Sequence, residues 1–501
     1  MSVASEETVA ALPTHVDVVI VGAGFSGLAM AARLGAAGRS DFLVLERAGD
    51  VGGVWRDNTY PGAACDVPSH VYSLSFAQNP DWSRTFSHQR EIHAYLQAVA
   101  RDHGLLPHIA LNCELLDARW DGTHWQLDTA RGPVSARVLV SGSGPLVEPK
   151  IPDLPGLDTF PGAIFHSARW DHDHDLTGDR VAVVGTGASA IQFVPKIQPQ
   201  VAHMTVFQRT AAWVLPRTER PITPVERFAF RHVPGTQSLM RQLVFWGRES
   251  NATPLLKART GVIELAGRAN LLRGIRDREL RRKLTPRFRA GCKRLLLSNT
   301  YFPALAAPNV DVVAAGLTEV RGSTVIGADG SQAEVDTIIF GTGFEVTRPP
   351  VAEHVHGADG RSLAEVWDGS MQAHRGTTVA GFPNLFFLLG PNSGSGHMSV
   401  VYMAEAQADY VVKALDAIDR EGAHSVQPRL QEQDAWTADV QARSQGTVWL
   451  AGGCASWYLD DKGRNTTLWP DYAHRFAGAL KTFHESEHEF APAVERVTAA
   501  V

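Results

Sequence analysis

Three glycines near the N-terminus have a spacing that can bind a dinucleotide. Gly22, Gly24 and Gly27 follow an apolar run at residues 16–21 and precede a segment of helical character. Such glycines let the backbone approach a pyrophosphate at the N-terminus of a helix. Glu46, 19 residues after Gly27, ends the next apolar run and can bind a ribose hydroxyl. The pattern predicts a nucleotide site rather than a plain structural turn, and its place near the N-terminus favours FAD.

A second motif of the same kind follows an apolar run at residues 181–184. Gly185, Gly187 and Ala190 repeat the spacing, with alanine in the third place. No acidic residue occupies the ribose-binding place of the first copy; Arg209 lies 19 residues after Ala190 instead. A guanidinium there can bind a 2′-phosphate, although an arginine at a solvated strand end has the same spacing. The second copy therefore predicts an NADPH site.

Two longer patterns accompany the glycine motifs. The first, at residues 52–66, reads Gly52-Gly53-Val54-Trp55-x-x-x-x-Tyr60-Pro61-Gly62-x-x-x-Asp66. The second, at residues 160–171, reads Phe160-x-Gly162-x-x-x-His166-x-x-x-Trp170-Asp171. Together they resemble the two fingerprints of class B flavoprotein monooxygenases of the type I Baeyer–Villiger family. Related enzymes that oxygenate nitrogen or sulfur usually have an aromatic residue other than tryptophan at the position of Trp170.

The resemblance covers about residues 14–480 and implies both fold and reaction. It implies an α/β chain with two Rossmann-like dinucleotide-binding domains, for FAD and NADPH, and a helical insertion. The implied enzyme is an NADPH-dependent flavin monooxygenase that inserts one atom of O2 next to a ketone carbonyl, through a C4a-peroxyflavin, to give an ester or lactone. Oxidation of sulfur or nitrogen in small molecules is the alternative on the same scaffold. A flavoprotein that senses or scaffolds without turnover is the alternative from another class.

The resemblance also assigns the reacting side chains. Arg294 corresponds to the active-site arginine of the family, and Asp66 to the carboxylate that orients it. A guanidinium suits this role because it stays charged and can stabilise an anion, while a buried cation needs a carboxylate partner. By spacing alone, Arg294 would be a surface charge in a basic helical neighbourhood. Lys293 corresponds to a contact of the NADP phosphate, and Trp457 to an aromatic residue near that nucleotide.

The motifs and the resemblance together define two sets of binding residues. The predicted FAD contacts are Gly22, Gly24, Phe25, Ser26, Gly27, Glu46, Gly53, Val54, Trp55, Asp57, Asp66, Tyr72, Leu115 and Val400. The predicted NADP contacts are Gly185, Thr186, Gly187, Ala188, Ser189, Arg209, Thr210, Lys293, Arg294 and Trp457.

One histidine and two loops need separate interpretation. His166 could act as a general base, but its place before the second nucleotide motif favours a role in coupling the two domains. The loop after Trp457 lacks the ending common in the family. The loop at residues 390–397 is closer to members similar to 4-hydroxyacetophenone monooxygenase. Both departures concern the choice of substrate.

The domain organisation follows from the order of the motifs. Residues 1–145 and 375–501 are predicted to form a discontinuous FAD-binding domain. Residues 146–217 and 300–374 are predicted to form the NADPH-binding domain, with a proline-rich connector at residues 145–161 at its start. Residues 218–299, rich in arginine and leucine, are predicted to be a helical insertion.

Composition excludes several other classes of protein. The 501 residues are 44% hydrophobic and 20% charged, which is typical of a folded globular chain. A net charge of -6 argues against binding to nucleic acid. No signal peptide or membrane span is recognisable, so a cytoplasmic protein is expected. The family resemblance implies a small-molecule ketone and O2 as its partners, and a monomer or homodimer is expected.

Cysteine and histidine patterns give two negative expectations. The four cysteines are too sparse for a disulfide framework, which predicts a reduced protein. His484 and His488 fit the zinc pattern H-E-x-x-H, but they lie in an acidic tail without a third ligand. No metal is therefore predicted.

Overall fold

The structure is a computed structural model that describes residues 11–492. Its strands are, in chain order, β1 (His15–Val21), β2 (Phe42–Leu45), β3 (Ile109–Ala110), β4 (Leu115–Trp120), β5 (Trp125–Thr129), β6 (Val134–Ser141), β7 (Ala163–His166), β8 (Arg180–Val184), β9 (His203–Phe207), β10 (Val214–Leu215), β11 (Leu296–Leu297), β12 (Val310–Val313), β13 (Leu317–Arg321), β14 (Thr324–Gly327), β15 (Gln332–Glu334), β16 (Thr337–Phe340), β17 (Val355–His356), β18 (Leu385–Phe387), β19 (Ala423–Pro428) and β20 (His488–Pro492).

The α-helices alternate with strands in both nucleotide-binding regions and cluster between them. They are α1 (Phe25–Ala36), α2 (Val54–Asp57), α3 (Gln89–Asp102), α4 (Ala190–Ile197), α5 (Pro224–His232), α6 (Thr236–Ser250), α7 (Ala252–Leu256), α8 (Gly261–Gly274), α9 (Arg278–Lys283), α10 (Tyr301–Leu305), α11 (Leu363–Trp367), α12 (Val400–Arg420), α13 (Leu430–Ser444), α14 (Val448–Ala451) and α15 (Ala473–Ala479).

The larger sheet positions the first glycine motif. Its eight strands have the order β17-β4-β5-β6-β1-β2-β3, and β18 also pairs with β6. β1 lies parallel to both β2 and β6. Val18 and Ile20 share one buried core with α1 and α12, whereas Val19 and Leu45 belong to the core on the other face. α1 packs closely because its sequence has small residues and no β-branched side chain.

The second sheet positions the second motif. Its five strands have the order β12-β9-β8-β16-β7, and all four pairings are parallel. β12 lies at one edge of this sheet, and β16 pairs with both β8 and β7. Parallel strands with helical crossovers confirm the predicted α/β class with two dinucleotide-binding folds. In the described part of the chain, no helix has both the length and the apolar character needed to span a bilayer.

The segment between residues 218 and 299 is helical, containing α5 to α9. The parallel pair β10 and β11 stands at its entrance and exit. Arg241 in α6 donates to the backbone oxygens of His70 and Ser73 at 2.8 and 2.9 Å, so the segment is fixed against the FAD side of the molecule.

One boundary and one cysteine expectation differ from the structure. β17 pairs with β4 in the first sheet, so residues 355 and 356 lie in that sheet, although the predicted boundary at residue 374 assigned them to the second unit.

Cys292 and Cys454 form a disulfide across 162 residues, so the expectation of a fully reduced protein is wrong for this pair. Sequence spacing could not show the pairing, because folding alone brings these residues together. Cys65 and Cys113 are free and buried.

Candidate functional site

The first glycine motif forms a tight turn between β1 and α1. Gly22 has φ of +96°, which favours glycine, and a Cβ there would lie 3.0 Å from the Gly142 oxygen. A Cβ on Gly27 would lie 1.7 Å from the Gly22 oxygen. Gly24 caps α1 without any side-chain hydrogen bond, and the Cα of Gly24 lies 3.2 Å from an ideal Cβ on Gly53. The first backbone N–H groups of α1 therefore remain available to an anion.

Glu46 lies at the end of β2, beside this turn. Its buried carboxylate accepts from the backbone N–H groups of Ala23 and Ala48 at 2.9 and 3.0 Å. Arg56 also donates to it at 2.9 Å, a contact that the sequence did not suggest. A carboxylate has about four acceptor positions, so one remains for a ribose hydroxyl.

The other predicted FAD contacts divide into three groups. Phe25, Trp55 and Tyr72 form one aromatic group, with a hydrogen bond of 3.1 Å from Trp55 Nε1 to the Tyr72 hydroxyl. The members next to glycines or at helix ends are Ser26 in α1, Val54 and Asp57 in α2, and Val400 at the start of α12. Leu115 begins β4 and packs in the core on the face opposite α1.

The second glycine motif joins β8 to α4. Gly185 has φ of +109°, and a Cβ there would lie 2.5 Å from the Gly341 oxygen. Gly187 and Ala188 are exposed, and Ser189 precedes α4 without a capping hydrogen bond from its side chain. The Thr186 hydroxyl donates to the Thr210 carbonyl at 3.4 Å, which fastens the turn to the segment after β9. This turn also leaves helix N–H groups open to a phosphate.

Arg209 and Lys293 come together although they are far apart in sequence. Burial lowers the pKa of Lys293, and repulsion from Arg209 lowers it further. Within residues 11–492, neither cation forms an ion pair with a carboxylate; Lys293 lies over the Phe288 ring at 5.5 Å. Two neighbouring cations without a counter-charge fit a doubly charged phosphate.

Arg294 and Asp66 form a bidentate ion pair. Arg294 Nε and Nη2 lie 2.5 and 2.6 Å from the two Asp66 carboxylate oxygens. The side chains remain 32% and 21% accessible, so the pair is not sealed within a packed core. Burial opposes ionisation of Asp66, but the Arg294 guanidinium outweighs it and holds the pKa of Asp66 below its usual value. Attraction from Asp66 in turn raises the pKa of Arg294.

Trp457 and Tyr458 reach the same place from the C-terminal loop. Their rings lie 4.4 Å apart, with Trp457 41% exposed and Tyr458 buried. Burial raises the pKa of Tyr458 to about 12, while the adjacent Arg294 guanidinium opposes that shift. Tyr458 was not among the predicted contacts, and only its position next to Trp457 could have indicated it.

The first fingerprint (residues 52–66) lies against the second nucleotide-binding unit. The Tyr60 hydroxyl donates to Gln192 Oε1 of α4 at 2.9 Å, and Gln192 Nε2 donates to the Ala64 carbonyl at 3.0 Å. A Cβ on Gly62 would lie 3.0 Å from the backbone carbonyl oxygen of Gln192. The segment that carries Asp66 therefore touches both nucleotide-binding units.

The second fingerprint (residues 160–171) contributes packing. Phe160 is buried in the core of the second sheet, and a Cβ on Gly162 would lie 2.0 Å from the Asp336 oxygen. Trp170 packs on Phe193 of α4, with ring centroids 5.3 Å apart. Asp171 accepts from the Asp173 N–H in the following loop at 3.0 Å.

His166 is enclosed where the second fingerprint meets the turn after β16. Its Nδ1 accepts from the Ala168 N–H at 3.1 Å, and its ring lies 5.7 Å from that of Phe344. Burial lowers the pKa of His166 to about 4. The ring is therefore neutral near pH 7 and packs between chain segments.

Sequence reasoning missed a polar network at the end of α6. Arg248 Nε donates to the His397 carbonyl at 2.9 Å, and electrostatic attraction links Arg248 to Asp66. The adjacent Glu249 accepts from His397 Nε2 at 3.0 Å and from His474 Nδ1 at 2.6 Å. These contacts fix the unusual loop at residues 390–397. No local motif marks them, because the partners come from three distant segments.

Comparisons with known proteins agree with this geometry. Residues 19–234 match the family described as pyridine nucleotide-disulphide oxidoreductase. A Baeyer-Villiger monooxygenase of Streptomyces coelicolor is 53% identical over 95% of this chain and 92% of its own length. A Baeyer-Villiger monooxygenase of Pseudomonas aeruginosa is 46% identical over 97% of this chain and 93% of its own. An oxidized steroid monooxygenase bound to NADP superposes with a TM-score of 0.85 at 28% identity, covering 96% of this chain and all of that one.

Two glycine turns, each between a parallel strand and a helix, define the class of α/β proteins with two dinucleotide-binding folds. The chain belongs to the Baeyer–Villiger monooxygenases. It is an NADPH-dependent flavin monooxygenase with FAD and NADPH as cofactors, and it inserts one oxygen atom of O2 next to a ketone carbonyl. The predicted family, fold and reaction are thereby confirmed.

Proposed function

We propose that Arg294, oriented by Asp66, stabilises the negative charge that forms on oxygen while the ketone is oxygenated. The bidentate pair, in which both side chains remain partly accessible, is the observation that carries this proposal. Negative charge builds on oxygen while an oxygen atom is transferred to a carbonyl. A fixed guanidinium beside that oxygen stabilises the charge without giving up its own proton.

We assign the first glycine turn to FAD and the second to NADPH. When bound, FAD supplies the activation of O2, and NADPH supplies the hydride that reduces FAD. The free N–H groups at the start of α1 would hold the FAD pyrophosphate, and Glu46 would bind its ribose. Trp55 and Tyr72, joined by a hydrogen bond, would form part of the wall beside FAD.

The domain assignment rests on the sheets. Residues 1–145 and 375–501 would carry FAD, residues 146–217 and 300–374 would carry NADPH, and residues 218–299 would form the helical insertion. Because β17 joins the first sheet, the boundary between the NADPH-binding domain and the second FAD-binding segment is better placed before Val355 than at residue 374. The hydrogen bonds between Gln192 and the first fingerprint would couple the two domains.

Two further expectations concern the setting of the enzyme. We propose that it acts in the cytoplasm on small molecules, as a monomer or homodimer and without nucleic acid, in keeping with its net charge of -6. We also propose that the loop at residues 390–397, held by Glu249, shapes a substrate pocket similar to that of 4-hydroxyacetophenone monooxygenase-like enzymes.

Product analysis tests the choice of a ketone as substrate. The purified holoenzyme would be reduced with NADPH without oxygen, then exposed to air with linear, cyclic or aryl ketones. Mass spectrometry should find an ester or lactone with one added oxygen. Samples without ketone serve as the control. Oxidation of a thioether in the absence of any ester would instead favour the sulfur-oxygenating alternative.

The proposed phosphate site gives a prediction for coenzyme preference. Arg209→Ala should raise the Michaelis constant for NADPH by roughly 10- to 100-fold, since a hydrogen bond to a charged group contributes about 1.5–3 kcal/mol. The constant for NADH should change little, because NADH has no 2′-phosphate. Steady-state rates with both coenzymes measure this difference.

Arg321→Ala is the matched control for this prediction. Arg321 ends β13, and its side chain is 67% accessible. Its removal should leave both Michaelis constants unchanged. Equal increases for NADPH and NADH in Arg209→Ala would remove Arg209 from the phosphate site.

A further inference from the structure

The Cys292–Cys454 disulfide joins two segments that both reach the proposed NADP site. Cys292 lies two positions before Arg294 and is fully buried. Cys454 lies three positions before Trp457 and is partly exposed. The bond therefore links the loop that carries Lys293 and Arg294 to the segment that carries Trp457.

The Trp457 segment has few other attachments. Within the described chain, the backbone N–H groups of residues 453–457 donate no hydrogen bond. The Trp457 carbonyl accepts from the Thr467 hydroxyl at 3.5 Å, the outer limit of a hydrogen bond. A segment with so few backbone hydrogen bonds opens easily. The disulfide is its covalent attachment to the Arg294 loop, beside the packing of the buried Tyr458 ring in one apolar cluster with Cys292.

Backbone contacts on both sides of the disulfide hold the two cysteines close together. Arg289 N–H donates to the Gly452 carbonyl at 2.9 Å, two residues before Cys454. A Cβ on Gly452 would lie 2.6 Å from the Cβ of Cys292, so glycine allows this close approach. Cys292 also packs in one apolar cluster with Trp449 and Tyr458. These contacts hold the cysteines next to each other in the folded protein.

We propose that Cys292 and Cys454 are a redox-modification site whose disulfide fastens the Trp457 segment to the Arg294 loop and so increases the affinity for NADP⁺. The inference rests on the proposed placement of Trp457 and Lys293 beside NADP. Fixing the segment before the nucleotide binds removes part of the ordering cost of binding.

Hydrogen peroxide is the oxidant for this step. The thiolate of Cys454, the more accessible of the two, attacks one peroxide oxygen; the O–O bond breaks, and the other oxygen leaves as water after taking up a proton. The resulting Cys454 sulfenic acid is attacked by the Cys292 thiolate, which forms the S–S bond and expels the second oxygen as water. Two thiols and one peroxide thus give one disulfide and two waters, and two electrons pass from sulfur to oxygen.

Thiol mapping of the holoenzyme tests the modification itself. The protein would be reduced with dithiothreitol, freed of reductant, and treated with or without hydrogen peroxide; it would then be denatured, so that buried thiols can react, before alkylation and peptide mass spectrometry. Peroxide should protect Cys292 and Cys454 from alkylation and yield their crosslinked peptide, also in Cys113→Ser. Cys113 is a free, buried thiol that serves as the matched control. Alkylation of both residues after peroxide would overturn the proposal.

Nucleotide binding tests the consequence. Calorimetry with NADP⁺ should show that reduction of the disulfide raises Kd about tenfold in the wild type and in Cys113→Ser. Cys454→Ser should have the weaker affinity with or without reductant. Trypsin should also cut faster after Lys462, which lies in the same loop and is 52% accessible, once the bond is reduced. An unchanged Kd in the reduced wild type would overturn the proposal.

A second variant separates this inference from the proposed function. Arg209→Ala should weaken NADP⁺ binding in both redox states, because its role is to bind the phosphate. If Arg209→Ala has no effect while reduction still weakens binding, the phosphate assignment fails and the disulfide inference stands. If only the effect of reduction is missing, the disulfide inference alone fails.

Discussion

Replacing Arg294 by alanine is expected to lower the rate of ester formation about 100- to 1000-fold, the usual cost of removing a group that stabilises a developing oxyanion. At saturating NADPH, which offsets the loss of a predicted NADP contact, reduction of the bound flavin should change by only a few fold, because the hydride step does not need the cation. Anaerobic stopped-flow reduction and product analysis in air measure the two steps separately. Their difference locates Arg294 in the oxygen-transfer half of the reaction.

Two other variants make this result specific. Arg294→Lys keeps the charge but cannot form the two parallel contacts with Asp66, so it should recover only a small part of the rate. Arg278→Ala removes an exposed arginine at the start of α9 and should behave as the wild type. An Arg294→Ala enzyme that makes ester at the wild-type rate would exclude Arg294 from the mechanism.

The ion pair also affects folding. Without Arg294, Asp66 loses the interaction that holds its pKa down, and burial then favours its protonated form. Because the folded pKa of Asp66 is depressed in the wild type, the pair stabilises the protein above the unfolded pKa of about 4, and this contribution is lost as the pH falls below it. Activities of the variants should therefore be compared near neutral pH, after a thermal unfolding measurement has confirmed the fold.

The features that were predicted most accurately from the sequence are those formed by neighbouring residues. Each glycine turn, with the strand before it and the helix after it, lies within about 20 residues, and part of the physical reason for its glycines is visible in that span. Gly22 needs a positive φ, and Gly27 leaves no room for a Cβ. These requirements belong to the turn itself, so the tertiary fold does not alter them.

Contacts between distant segments were predictable only through the family resemblance or not at all. Arg294 and Asp66 are 228 residues apart, and spacing alone would have placed Arg294 on the surface. Glu249 meets His397 and His474 from two other segments, without any motif. Cys292 and Cys454 have no spacing that marks a pair. In each case the partners are selected by the packing of the domains, which local sequence does not encode.

A methyl group on Gly24 is expected to abolish retention of FAD without unfolding the protein. A Cβ on Gly24 would lie 3.7 Å from the nearest protein atom, the Cα of Gly53, which is an ordinary contact. The polypeptide therefore tolerates alanine here. In the proposed site the same Cβ would occupy the place where the pyrophosphate approaches the start of α1. Purified Gly24→Ala should be colourless, and its bound flavin, measured by absorbance after denaturation, should be below about a tenth of the wild-type amount.

Gly35→Ala is the matched control in the same helix. Gly35 is exposed near the end of α1, and a Cβ there would meet no atom within 4 Å. This variant should keep all its FAD and gain up to about 1 kcal/mol of stability, since alanine is the better helix former. Gly27→Ala cannot replace Gly24→Ala as the test of FAD binding, because its Cβ would clash with the backbone of Gly22 whether or not FAD is bound. If Gly24→Ala is as yellow as Gly35→Ala, the pyrophosphate does not lie at this turn, and the FAD assignment of the first motif fails.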